Sequence, residues 1–246
     1  MTRQDVSPYA MGRARIAVVA PILPMSIRLI MFDLDGTLFD TVADMTDAVN
    51  DVLPPGIPPV SLEESRIAMG GGGDTLIARL KWPDLDWKTF GKKVSDAYAA
   101  RLGAHTRPYP GVAATLKRLS FCSKVVLTNR STVNTIPVLE RFKLLPYFLD
   151  VIGRDSGAGM KPSPDPVLHV LKRLSVKPEE AVIVGDCAQD IEAGRAAGVR
   201  TVAVTYGYGY AVDCGFVEQA DSVIDRFPRL LQVIEGLDHP PRPAAA

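Results

Sequence analysis

The sequence predicts an α/β fold, in which a parallel sheet covered by helices carries a small helical domain inserted near its start. Two observations support this prediction. Short apolar runs rich in β-branched residues alternate with helical patterns along most of the chain, as expected for a parallel sheet with both faces buried. A long stretch after the first strand has helical patterns and no strand-like run, so we expect it to form a separate helical unit.

Five strands are predicted, and three of them end in polar side chains. The predicted strands are residues 27–33, 124–129, 149–152, 181–186 and 200–205. The first ends in Asp33, the second in Thr128 and Asn129, and the fourth in Asp186. Ligands of open α/β sheets bind beyond the carboxyl ends of the strands. We therefore expect these three remote segments to meet in one crevice.

The inserted helical domain is predicted at residues 42–106. Its helical patterns are residues 42–53, 62–69, 74–80 and 87–102, and the proline-rich stretch 54–59 separates the first two. The sheet core then comprises residues 26–41 and 107–237, with hinges near 41–42 and 106–110. We expect residues 1–25 to be a disordered leader and residues 238–246 to be a disordered tail.

Composition and charge argue against several classes of function. The chain has 28 Lys and Arg against 28 Asp and Glu in 246 residues, so it lacks the basic excess typical of proteins that bind nucleic acids or acidic membranes. Its three cysteines share no CxxC spacing, which disfavours a disulfide framework or a zinc site. We expect a cytoplasmic protein, a monomer or a homodimer, that binds neither nucleic acid nor membrane.

The most informative segment reads Phe32-Asp33-Leu34-Asp35-Gly36-Thr37. Side chains two residues apart on a strand share a face, and two neighbouring carboxylates are costly unless a cation or a proton compensates them. We interpret Asp33 as a nucleophile toward phosphorus and Asp35 as the acid and base of the reaction. Gly36 permits a tight turn, and Thr37 follows where backbone N–H groups can face phosphate oxygens.

Three residues farther along the chain are candidates for binding a phosphoryl group. Thr128 and Asn129 offer a hydroxyl and an amide to phosphoryl oxygens. The ammonium of Lys161 would neutralise the attacked phosphate. Taken alone, these are an ordinary loop start and a solvated lysine, and their expected convergence with the first motif is what favours the binding role.

Acidic residues after two strands predict a magnesium site. Asp186 and Asp190 follow the fourth predicted strand. Mg²⁺ prefers oxygen ligands and binds one or two carboxylates together with substrate phosphate. We expect Asp33, Asp186 and the backbone carbonyl of Asp35 to hold this ion. Asp190 would orient a water ligand or Lys161, and it can also cap the helix that follows it.

These segments together resemble the four motifs of the haloacid dehalogenase superfamily. The matching segments, in order, are residues 33–37, 128–129, 161–162 and 185–190. The resemblance covers roughly residues 26–230, and it implies a Rossmann-like core with a helical cap inserted after the first motif. True dehalogenases lack the second aspartate of the first motif, so Asp35 favours phosphoryl transfer. Cys187 stands where the superfamily usually has serine.

Within the superfamily the chain is most similar to phosphoglycolate phosphatases. The similar segments are residues 39–41, 70–73, 109–112, 153–156, 161–164 and 205–209. The resemblance implies a Mg²⁺-dependent phosphatase that acts on a small phosphomonoester, 2-phosphoglycolate first, through an aspartyl-phosphate. A sugar-phosphate phosphatase, a pyrophosphatase or a phosphoglucomutase of the same superfamily is the alternative enzyme. A non-catalytic phosphate-binding regulatory protein is the alternative of another class.

The cap and one later loop contain further candidates for the site. Gly72, in the glycine run 70–73, and Arg79 are candidate substrate contacts, and a plain flexible loop and a solvated arginine are the alternatives. Tyr206 and Tyr208 alternate with glycine, and we expect this loop to pack on the rim of the site.

Overall fold

The computed structural model describes residues 27–70, 86–101 and 103–237, and Trp87 only in its backbone. The expected leader and tail, the helical pattern at 74–80, Gly72 and Arg79 lie outside the described residues. In the described part of the chain, no helix is both long enough and apolar enough to span a bilayer.

In the described residues, eight strands form a parallel sheet and a small antiparallel pair. They are β1 (Leu29–Phe32), β2 (Phe39–Asp40), β3 (Arg107–Pro108), β4 (Ser123–Leu127), β5 (Asp150–Ile152), β6 (Ala181–Gly185), β7 (Arg200–Val204) and β8 (Ser222–Ile224). Six of them make one sheet in the order β5-β4-β1-β6-β7-β8, and all of its pairings are parallel. Strand β1 therefore lies near the centre, between β4 and β6.

All five predicted strands are present, but their ends differ from the prediction. Asp33, Asn129 and Asp186 lie in the loops just after strands β1, β4 and β6 rather than within them. Strand β8 was not predicted, because it has three residues at the sheet edge and only Ile224 among them is buried.

Nine helices are described. They are α1 (Val42–Asp51), α2 (Leu62–Gly70), α3 (Trp87–Arg101), α4 (Val112–Arg118), α5 (Thr132–Arg141), α6 (Asp165–Leu174), α7 (Ala188–Ala196), α8 (Gly209–Val212) and α9 (Leu230–Leu237). Alternate side chains of β1 enter different apolar clusters, since Ile30 and Phe32 pack with residues of α4, α5 and α9. Leu29 and Met31 pack instead with residues of α6 and α7. Both faces of the sheet are thus covered, which confirms the predicted α/β class.

Helices α1 to α3 lie between β2 and β3, and we call them the helical insert. Val49, Val60 and Phe90 form a small apolar cluster within it, while Tyr98 of α3 joins the main core. The two crossings between core and insert run side by side, because β2 pairs antiparallel with β3. The hinges expected near 41–42 and 106–110 and the division into two domains stay predictions.

Candidate active site

The loop after β1 is held tightly against the neighbouring strand. The Asp33 N–H donates to the Val184 carbonyl at 2.9 Å, which keeps the carboxylate at the end of the sheet. Gly36 then turns the chain with φ of +83°, and a Cβ at this position would lie 2.2 Å from Asp186 Oδ2. A glycine is therefore required for the first loop to approach Asp186.

Lys161 joins two of the predicted acidic residues. Its Nζ lies 2.7 Å from Asp33 Oδ1 and 2.5 Å from Asp190 Oδ1. All three side chains are buried, so the ion pairs are shielded from water. Burial lowers the pKa of Lys161, but the charges of Asp190 and Asp33 outweigh it and raise that pKa overall. The lysine therefore stays charged at the centre of the site.

Asn129 holds the Lys161 loop in place. Its Oδ1 accepts from the Lys161 N–H at 2.9 Å, and its Nδ2 donates to the Lys161 carbonyl at 2.8 Å. Nδ2 also donates to Gln189 Oε1 at 3.0 Å. The amide thus has protein partners on both of its ends, and its binding of phosphate stays a prediction. Thr128 Oγ1, on the same loop, accepts from the Arg130 N–H at 3.1 Å.

Asp186 is fixed by the loop that follows β7, the strand next to β6. Its Oδ2 accepts from the backbone N–H groups of Tyr208 and Gly209 at 2.7 and 3.1 Å. Thr37 Oγ1 donates to Oδ1 at 3.4 Å. Burial and the charge of Asp190 raise the pKa of Asp186 to about 7. The tyrosine-glycine loop therefore packs on the rim of the site, as predicted.

Asp190 lies in the first turn of α7 and is fully buried. Its Oδ2 accepts from the Cys187 N–H at 3.3 Å and lies 3.1 Å from Cys187 Sγ. Burial, and after it the charge of Asp190, raises the pKa of the Cys187 thiol, so the sulfur keeps its proton. Cys187 can therefore donate from sulfur at the position where the superfamily usually has a hydroxyl.

Asp35 is bound by an arginine that the sequence patterns did not indicate. Arg130 donates from Nε to Asp35 Oδ2 at 2.9 Å and from Nη2 to Oδ1 at 2.6 Å. Thr41 Oγ1 donates to Oδ1 at 2.5 Å. Arg130 directly follows the Thr128-Asn129 pair, and that place beyond a strand end was the one sign of its role.

The donor set fits a divalent cation. Asp33, Asp186 and Asp190 are buried carboxylates, and Lys161 pairs with Asp33 and Asp190. Burial raises the pKa of Asp33 well above its usual range; Lys161 lowers it, and the three other aspartates add to the rise. Three carboxylates thus face one ammonium, and the excess negative charge lies on oxygen atoms, which are the ligands that Mg²⁺ prefers. The Asp35 carboxylate is bound by Arg130, which leaves its backbone carbonyl as the group for metal binding.

The predicted site residues within the described part of the chain therefore converge. Lys161 pairs with Asp33 and Asp190, Thr37 donates to Asp186, and the charge of Asp190 acts on Asp186. Asn129 bonds to the Lys161 backbone, and Arg130 links Thr128 to Asp35, which lies two residues after Asp33. Their individual roles in catalysis and binding stay predictions.

Comparison with known proteins agrees with this arrangement. A family model described as haloacid dehalogenase-like hydrolase matches residues 30–204. Phosphoglycolate phosphatase 1 of Pseudomonas aeruginosa is 38% identical over 193 residues, which cover 74% of this chain and 71% of that protein. The phosphoglycolate phosphatase of Salmonella typhi is 36% identical over 240 residues, covering 87% and 94%.

A solved structure extends the similarity to three dimensions. The crystal structure of a predicted phosphoglycolate phosphatase from Haemophilus somnus 129PT superposes with a TM-score of 0.76 at 28% identity, covering 85% of this chain and 98% of that one. The family model, the relatives and the solved structure all indicate the same family. The chain belongs to the family of haloacid dehalogenase-like hydrolases.

Proposed function

We propose that the protein is a Mg²⁺-dependent phosphatase that hydrolyses a small phosphomonoester through an aspartyl-phosphate. The observation that carries this proposal is the buried pairing of Lys161 with Asp33 and Asp190 at 2.7 and 2.5 Å. A carboxylate beside a fixed ammonium is placed to attack a phosphoryl group whose charge that ammonium then balances. The phosphoglycolate phosphatases among the relatives support the same chemistry.

In the first half of the proposed reaction, the Asp33 carboxylate attacks phosphorus. The bond from phosphorus to the leaving oxygen breaks, and Asp35 donates its proton to that oxygen. Lys161 stabilises the charge on the transferring group, and Asn129 keeps the lysine loop in position. Mg²⁺, when held by Asp33, Asp186 and the Asp35 carbonyl, supplies further positive charge at the phosphoryl oxygens.

In the second half, water regenerates the enzyme. Asp35, now a carboxylate, takes a proton from water, and the water oxygen attacks phosphorus of the aspartyl-phosphate. The bond between phosphorus and the Asp33 oxygen breaks, which releases inorganic phosphate and restores Asp33. Asp190 holds Lys161 throughout, since its Oδ1 lies 2.5 Å from the lysine nitrogen.

For the substrate we propose 2-phosphoglycolate, because the relatives named above bear that activity in their names. The helical insert would act as a cap over the crevice, with Gly72 and Arg79 as candidate substrate contacts. We propose a cytoplasmic protein, because the three cysteines of the chain share no CxxC spacing. A monomer or a homodimer, without nucleic acid or membrane as a partner, remains part of the proposal.

A substrate panel tests this proposal. Purified protein with Mg²⁺ is given 2-phosphoglycolate, several sugar phosphates and pyrophosphate, and the release of inorganic phosphate is measured. We expect the highest kcat/KM for 2-phosphoglycolate and no activity in EDTA. A preference for another compound would refute 2-phosphoglycolate as the substrate. Isomerisation of glucose 1-phosphate without phosphate release would indicate a mutase. No turnover of any phosphomonoester would favour the non-catalytic phosphate-binding protein.

A further inference from the structure

We propose that Arg130 is the positioning residue of Asp35, and that it fixes the one carboxylate position from which a proton is exchanged with the leaving group. The proposal rests on the proposed function, in which Asp35 is the acid and base. Arg130 lies 95 residues from Asp35 in sequence, and only the folded chain brings the two side chains together.

The first step is the geometry of the ion pair. Two parallel N–H groups of one guanidinium meet the two oxygens of one carboxylate, Nε to Oδ2 at 2.9 Å and Nη2 to Oδ1 at 2.6 Å. A bidentate pair of this kind fixes the plane of the carboxylate as well as its position. A single hydrogen bond would leave that plane free to rotate.

The second step is a count of acceptor positions. An ionised carboxylate offers about four lone-pair positions, two on each oxygen. Arg130 and Thr41 together fill both positions on Oδ1, and Arg130 fills one on Oδ2. One lone-pair position therefore remains, and it is on Oδ2. A proton donor or acceptor can approach the carboxylate there. The Asp35 side chain is 21% exposed and that of Arg130 only 6%, so the arginine lies behind the acid.

The third step is what holds Arg130 itself. Its guanidinium carbon lies 4.2 Å from the ring centroid of Tyr98, a residue of α3 that is 1% exposed. A guanidinium stacks on an aromatic face in a way that an ammonium cannot reproduce. The Arg130 N–H donates to Thr128 Oγ1, which anchors its backbone. The position of Asp35 thus depends on both the core and the helical insert.

The experiment compares leaving groups of similar size. Phenyl phosphate and p-nitrophenyl phosphate differ little in shape, but the nitro group lets the phenolate leave without a proton. We expect Arg130→Gln to lower kcat/KM about 100-fold for phenyl phosphate and for the best substrate of the panel, and less than about threefold for p-nitrophenyl phosphate. Arg173→Gln is the matched control, because it removes an arginine–aspartate pair with Asp150, whose atoms are 3.1 Å apart on the surface.

A double-mutant cycle provides the second readout. If Arg130 acts through Asp35, Arg130→Gln should cost less than about twofold in an Asp35→Asn background. Arg130→Lys retains the charge but cannot form the bidentate pair. It should therefore show a smaller loss of kcat/KM with the same dependence on the leaving group. It also serves as the test variant if Arg130→Gln does not fold.

Two results would overturn the inference while leaving the proposed function intact. One is an equal loss for both aryl phosphates, and the other is a full, additive loss in the Asp35→Asn background. Either would mean that Arg130 only supports the fold. A wild-type protein without activity on any phosphomonoester is a different result, because it refutes the proposed function and this inference together.

Discussion

At the scale of single residues, Lys161 compensates the charge of two carboxylates in an interior that excludes water. It lies 2.7 Å from Asp33 and 2.5 Å from Asp190. Removing Lys161 would leave both buried carboxylates without their cation, which is strongly destabilising, whereas removing Asp33 leaves the lysine paired with Asp190. The same three residues therefore maintain the fold locally and provide the proposed nucleophile with its cation.

The role of Asp33 is tested by Asp33→Asn. We expect kcat to fall at least about 10⁴-fold, because the amide cannot attack phosphorus. The melting temperature should stay the same or rise, since the substitution removes one of several buried negative charges. Exposed Asp225 provides the control Asp225→Asn, which should retain full activity. Full activity in Asp33→Asn would exclude this residue as the nucleophile.

The buried carboxylates also predict how stability depends on pH. The pKa of Asp186 is raised from its ordinary value of 3.8 to about 7, so between these values the folded state binds more protons than the unfolded state. The free energy of unfolding should therefore fall as the pH rises from 4 to 7, and change little through this group above that window.

Urea denaturation in EDTA at several pH values measures this dependence. The difference between wild type and Asp186→Asn isolates the contribution of the residue, and the variant should lose less stability over the window. An equal slope in both proteins would show that Asp186 carries no raised pKa in the folded state.

Sequence and structure differ most at Arg130. The acidic residues were predictable because each follows an apolar run that reads as a strand. Arg130, the partner of Asp35, was not predictable, because the pairing forms only when the loops after β1 and β4 come together in the folded chain. Asn129 was assigned to phosphate by its residue type and its place at a strand end, whereas the structure pairs its amide with the Lys161 backbone.

At the scale of elements, one buried aspartate connects helix α1 to the return crossing. Asp44 Oδ1 accepts from the His105 N–H at 2.8 Å. Its Oδ2 accepts from the N–H and the hydroxyl of Thr106 at 2.9 and 2.7 Å. Burial raises the pKa of Asp44, but these hydrogen bonds outweigh it and lower that pKa overall. The start of α1 is thereby attached to the strand that leads back into the core.

We expect Asp44→Asn to destabilise the protein by about 2 kcal/mol, because the amide nitrogen would face a donor and the remaining bonds lose their charge. The free energy of unfolding in urea measures this loss. Asp47→Asn, on the same helix but 40% exposed, should change it by less than about 0.5 kcal/mol. Equal effects of the two substitutions would refute the role given to Asp44.

Elements were predictable in proportion to their burial. Strands β1 and β6 are buried at every position, and each appears in the sequence as a continuous apolar run. Strand β8 has an exposed Val223 and a single buried residue, so its pattern does not differ from that of a loop. Hydrophobic periodicity reports burial, and a short edge strand has little of it.

At the scale of the whole molecule, the parallel sheet brings the carboxyl ends of β1, β4 and β6 to one edge. A cation held there would bind the folded chain and not the unfolded one. Mg²⁺ should therefore raise the melting temperature, corresponding to about 2.7 kcal/mol at a hundred times its dissociation constant.

A thermal melt with increasing MgCl₂ measures this effect. Asp186→Asn should show a much smaller shift, and equal concentrations of NaCl provide the control for ionic strength. A melting temperature that does not change with Mg²⁺ in the wild-type protein would contradict the assignment of these carboxylates to a metal.

The pairing of β2 with β3 has a consequence for how such proteins diversify. The chain leaves the core and returns to it through adjacent residues. The stretch between these points can therefore be replaced by another of different length without displacing the two points where it joins the core. Under the proposal that the insert contacts the substrate, natural selection can thus alter substrate recognition while the residues around Asp33 are inherited unchanged.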